Sequence, residues 1–68
     1  MSNLYNLYYN KDMKNAISVK TKKYYNTVMR KNAYYVAITT ANATITYHFD
    51  EETNEITNRF ADCLEGRG

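Results

Sequence analysis

Apolar and polar residues alternate most regularly in the middle of the chain. Across residues 33–40, Tyr34, Val36 and Ile38 fall on every second position. Across residues 43–49, Ala43, Ile45, Tyr47 and Phe49 do the same, with Thr44, Thr46 and His48 between them. A period of two sets each group on one side of a strand. Only Ala41 and Asn42 separate the two runs, which predicts a tight antiparallel hairpin, Asn42 supplying the positive φ that such turns favour. Residues 49–57 read as a second hairpin. Here Asp50 accepts local backbone hydrogen bonds and Asn54 takes the left-handed region. Beyond it, Ile56, Phe60, Cys63 and Leu64 follow a helical spacing and Gly66 is a stop signal. The two patterns combine as a strand over residues 55–58 followed by a short helix over residues 60–65.

The N-terminal third is less regular. Residues 3–9 are short, apolar and aromatic, and predict a strand. Asn10 then reads as a helix cap, with Asp12 in the first turn. Met13, Ala16, Ile17, Thr21, Tyr24 and Val28 recur at spacings of three and four, one face of a helix over residues 11–31 that ends on Arg30 and Lys31. Ile17, Val19 and Thr21 also fit a period-two strand, and the helix is the preferred reading. The expected fold is α+β in the order β-α-β-β-β, a small antiparallel sheet with one helix packed on one face. It forms a single domain over residues 1–68.

Composition changes the picture of the core. Leu, Ile, Val and Phe together make up twelve of the 68 residues, a fraction that alone leans toward disorder. Eight tyrosines offset it, since each buries about 150–250 Å² when its hydroxyl finds a partner. The expectation is a tyrosine-rich core, or a domain completed by a partner. The single cysteine, Cys63, excludes an intramolecular disulfide. No signal-peptide pattern and no membrane-length apolar run are visible, so a cytoplasmic location is the default.

The chemistry of catalysis is not legible. His48 is a lone histidine on a strand face and reads as structural. Cys63 sits on the apolar stripe with Phe60 and Leu64, as a buried thiol would. Both glycines lie at the C-terminus, so no glycine-rich loop can cradle phosphate. No catalytic, cofactor-binding or metal-ligating set is expected, and the protein is not expected to be an enzyme.

Binding chemistry remains. The net charge of +2 hides an asymmetry: residues 1–48 carry seven cations against Asp12 alone, and residues 49–68 carry six acids against two arginines. Adjacent tyrosines on a strand must point to opposite sides, so some rings are expected outside, where tyrosine is an efficient anchor for a partner. The first expectation is therefore a small binding protein acting through protein–protein contact, with Tyr9, Tyr25, Tyr35, Asp50, Glu51 and Glu52 as the docking residues. Small size and an Asn-, Lys-, Tyr- and Ile-rich composition associate it with AT-rich phage genomes, hence a phage-encoded inhibitor of a host enzyme or defence complex, working in the host cytoplasm. A homo-oligomer that hides excess tyrosine fits the same composition. The alternative is nucleic-acid binding, with Lys20, Lys22, Lys23, Tyr24, Tyr25, Arg30 and Lys31 interleaving cations for phosphates with rings for bases.

Overall fold

The structure, a computed structural model, describes residues 4–63. One helix, α1 (Leu4–Lys14), precedes four strands, β1 (Ser18–Asn26), β2 (Lys31–Thr39), β3 (Ala43–Asp50) and β4 (Ile56–Cys63). The strands form one antiparallel sheet in chain order, each pairing with the next. The α+β class and the small antiparallel sheet are as expected. The order is not: the helix comes first.

Three segments account for the difference. Residues 4–9, expected as a strand, open α1, and Asn10 lies inside the helix rather than at its cap. Tyr5 and Tyr9, four residues apart and so on one face of α1, both pack against the core. Residues 18–26, expected as helix, form β1, the outcome that Val19, Thr21, Tyr24 and Tyr25 favour as β-branched and aromatic residues. β4 runs on to Cys63, so residues 60–63 are strand and not helix; Leu64 and Glu65 lie outside the described residues. Cys63 is exposed, because extending the strand dissolves the helical stripe that would have buried it.

Turns are fixed by polar side chains. Asn26 Oδ1 accepts from the amides of Val28 and Met29, both at 3.0 Å, and Arg30 takes the left-handed region at φ 59°. In the β2–β3 turn, Thr40 Oγ1 accepts from the amides of Asn42 and Ala43 and donates to the Ala43 carbonyl. Asn42 therefore needs no positive φ, and has none. Asp50 Oδ1 accepts from the Glu52 amide at 2.8 Å and Asn54 sits at φ 60°, as the third turn was expected to do.

The core lies on one side of the sheet. Val36, Ile38, Ile45, Tyr47, Phe49 and Ile56 form the buried cluster, with Tyr5, Tyr9, Ala16, Tyr34 and Ala43 packed against it. Tyr9 sets its edge against Tyr47 and Phe49, with ring centroids 5.2 and 5.6 Å apart, and Tyr34 stacks flat on Phe49 at 4.8 Å. Tyr47 is fully buried. Its hydroxyl donates to the Asp12 carboxylate and accepts from Arg59 Nε at 3.0 Å, while Arg59 Nη2 lies 3.5 Å from Asp12 and its guanidinium covers the Tyr8 ring. Burial, reinforced by the Asp12 bond, pushes the Tyr47 hydroxyl up to about 12. Aromatic rings do supply much of this core, and a phenol–carboxylate–guanidinium cluster ties α1 to β3 and β4.

Candidate functional site

Strand register sorts the remaining side chains. On β2, Ala33, Tyr35, Ala37 and Thr39 alternate with the core residues Tyr34, Val36 and Ile38, so they face the side of the sheet opposite α1. Cross-strand partners share a side in an antiparallel pair. The open side therefore reads as four rows: Tyr24–Ala33–Asp50, Lys22–Tyr35–His48–Asn58, Lys20–Ala37–Thr46–Phe60 and Ser18–Thr39–Thr44–Asp62. No element of the described residues covers this side.

Four rings run diagonally across it, one from each strand. Tyr24 and Tyr35 lie 6.2 Å apart, Tyr35 and His48 5.9 Å, Tyr24 and His48 5.8 Å, and His48 and Phe60 5.5 Å. The Tyr24 hydroxyl is hydrogen-bonded to His48 Nδ1 at 2.9 Å. Burial among these rings lowers the His48 pKa below its ordinary value, keeping the imidazole neutral near pH 7. Phe60 is 58% exposed, a large apolar ring presented to solvent beside small residues. Apart from these rings, at the end of the sheet that carries the β1–β2 turn, a pocket of about 310 Å³ is lined by Met29, Ala33, Asp50 and Asn58 among others.

Charge is confined to the margins. Lys20 and Lys22 project from β1, one edge of the sheet, and form no ion pair with any described residue. Asp62 stands on the same side at the opposite edge, in β4. Lys31 sits beside Asp50 at 3.0 Å and Glu52 at 3.6 Å. Hydrogen bonding from Lys31 holds the Asp50 carboxyl below its ordinary range, and the same bond raises Lys31.

The docking set expected from the sequence is dispersed. Tyr35 lies on the open side, in the diagonal. Tyr9 faces the core from α1, and Tyr25 is exposed on the helix-facing side, since Tyr24 and Tyr25 point to opposite sides of β1. Asp50 and Glu52 share Lys31, and Glu51 pairs with Lys23, so two cations offset most of the charge of the three acids at the tip. The nucleic-acid set divides as well. Lys20, Lys22, Tyr24 and the neutralised Lys31 share the open side. Lys23 and Tyr25 point the other way, and Arg30 is in a turn.

Sequence reasoning missed two members of the diagonal as binding residues. His48 was legible as outward-facing from its alternation with Thr44 and Thr46, but the chain holds no other signal for its neighbours. Phe60 was assigned to a helical stripe, and only the continuation of β4 turns it outward. His48 and Cys63 lie on opposite sides of the sheet, because Cys63 pairs with Ala43 on the core side, so they form no nucleophile–base pair. Among the described residues, no three His, Cys, Asp or Glu side chains converge as a metal site, and no helix is long and apolar enough to cross a membrane. No protein-family model, curated protein or solved structure matches the chain.

Proposed function

We propose that the chain is a non-catalytic binding protein that docks another protein through the open side of its sheet. The observation that carries this reading is the composition of that side: an uncovered ring on each of the four strands with small residues between them, and charges only on the two edge strands and at the strand ends. Protein interfaces are built in this way, with aromatic residues enriched and charges depleted at the centre and a polar rim around it. Tyrosine rings on a rigid sheet also lose little conformational freedom on contact, which makes them effective anchors. A protein of this size acts on its target by covering a surface, the mode of an inhibitor of a host enzyme or defence complex.

The nucleic-acid alternative has less support. Continuous tracking of phosphates needs cations along one groove, and the seven candidate residues divide between two sides and a turn.

The test is affinity capture with the intact chain, with and without nuclease, comparing the parent with Tyr35→Glu and Phe60→Glu on the open side and Tyr25→Ser on the other. The expected result is a stoichiometric protein that survives nuclease, persists with Tyr25→Ser, and is lost with Tyr35→Glu and Phe60→Glu. Capture that disappears with nuclease, or that is indifferent to the open-side variants, overturns the reading.

A further inference from the structure

We infer that the open side of the sheet pairs with the same side of a second copy of this chain, through a two-fold axis running along the strands. The inference rests on the docking reading above and names one protein that occupies the surface.

The first argument is the missing layer. All but one of the buried apolar residues face α1, and the exception is Ala33. Domains of this size gain stability from disulfides, structural metals or association. Here Cys63 is the single cysteine, and no metal cluster forms among the described residues. Association is a further route, and the aromatic diagonal is where it would bury most.

The second argument is charge complementarity within one surface. Unpaired cations stand at the β1 edge and an acid at the β4 edge, on the same side of the sheet. An axis along the strands, between β2 and β3, lays β1 of one copy over β4 of the other and keeps each row in register. Lys20 then meets the second copy's Phe60, a cation over a ring, with that copy's Asp62 two residues further along the strand. Lys22 falls over Asn58, and Tyr35 over His48, where the two diagonals cross. The alternative axis, across the strands, would set β1 over β1 and oppose lysine with lysine. Extent is consistent: four strands about 4.8 Å apart and roughly 27 Å long give a planar area on the order of 400 Å², which side-chain relief raises toward the roughly 800 Å² per partner of a standard interface.

Sedimentation velocity of the full chain over a wide dilution series tests the inference, using the parent, Phe60→Lys, Lys20→Glu, Asp62→Lys and the Lys20→Glu/Asp62→Lys pair. Circular dichroism verifies that each variant is folded. The parent is expected to dimerise reversibly. Phe60→Lys, which sets a cation opposite Lys20, and each single charge reversal should weaken the dimer by about tenfold or more. The double reversal should dimerise more tightly than either single reversal, short of the parent because the cation over the Phe60 ring is lost. A monomer at every concentration overturns self-pairing but leaves the docking reading to the capture experiment. A dimer indifferent to Phe60→Lys overturns self-pairing on this side; if capture is also indifferent to its open-side variants, both readings fall. A dimer weakened by Phe60→Lys in which the double reversal is no tighter than the single reversals overturns the arrangement with β1 over β4.

Discussion

The two sides of this sheet carry comparable numbers of rings and use them differently. On the helix-facing side, Tyr9, Tyr34, Tyr47 and Phe49 interlock, and the one fully buried phenol is satisfied by Asp12 and Arg59. On the open side, Tyr24, Tyr35, His48 and Phe60 touch one another but nothing lies over them. Aromatic content alone does not distinguish structural rings from rings available to a partner. The presence of a covering element does, and so does the fate of each hydroxyl. Tyr47 cannot leave its polar cluster without costing Asp12 and Arg59 a shared partner, whereas Phe60 has no polar obligation.

This contrast can be broken by substitution, with urea unfolding at the lowest workable concentration as the measure, so that self-association does not mask monomer stability. The largest effect is expected at Tyr47. Truncation by Tyr47→Ala removes a fully buried ring and should cost about 3–5 kcal/mol, enough to unfold a domain whose total stability is of that order. Tyr47→Phe keeps the ring and deletes the hydroxyl. It should cost about 1–3 kcal/mol, since Asp12 and Arg59 lose their shared partner. Asn26→Ala releases the amides of Val28 and Met29 from their side-chain acceptor and should cost about 1 kcal/mol, by analogy with the loss of a helix cap. On the open side, Phe60→Ser should stay within about 0.5 kcal/mol of the parent. An effect as large as that of Tyr47→Phe would mean that the open rings are structural after all.

The smallest expected effect is a pH dependence. The folded-state pKa of His48 lies below its unfolded value of about 6.5 because burial opposes the charged form. The neutral ring's contribution to stability is thus fully present above pH 6.5, and declines as the pH falls through the depressed folded value. His48→Gln should flatten the stability profile just below the unfolded value of about 6.5; an unchanged profile would assign the dependence to the carboxylates.

How much of this was legible in the chain depends on where alternation was unambiguous. β2 and β3 are half-buried strands with Val36, Ile38, Ile45, Tyr47 and Phe49 on one side, so a period of two was readable directly. β1 is exposed along almost its whole length. Nothing forces its apolar residues onto alternate positions, and Ile17, Thr21, Tyr24 and Val28 mimic a helical stripe by coincidence. The same false period misled the reading of Phe60 and Cys63. In α1, aromatic residues are neutral helix formers at best, the i, i+4 pair Tyr5 and Tyr9 shares a side in a strand as well as in a helix, and the helix is held by packing of those rings on the core and by Asp12 on Tyr47 and Arg59. That is a tertiary demand no local window contains. For the candidate site, outward alternation identified Tyr35 and His48 positions, but their convergence with Tyr24 and Phe60 depends on strand order and register across all four strands.

The cluster joining Asp12, Tyr47 and Arg59 brings the first element of the chain against the last two. A ribosome delivers α1 early, yet the side chains that anchor it, Tyr47 and Phe49 and then Arg59, emerge only with β3 and β4. The nascent helix must therefore wait, unmoored, while the meander assembles, and is the final piece to settle. Folding kinetics should record this as unfolding rates that rise, and refolding rates that barely change, when Tyr9 or Asp12 is altered.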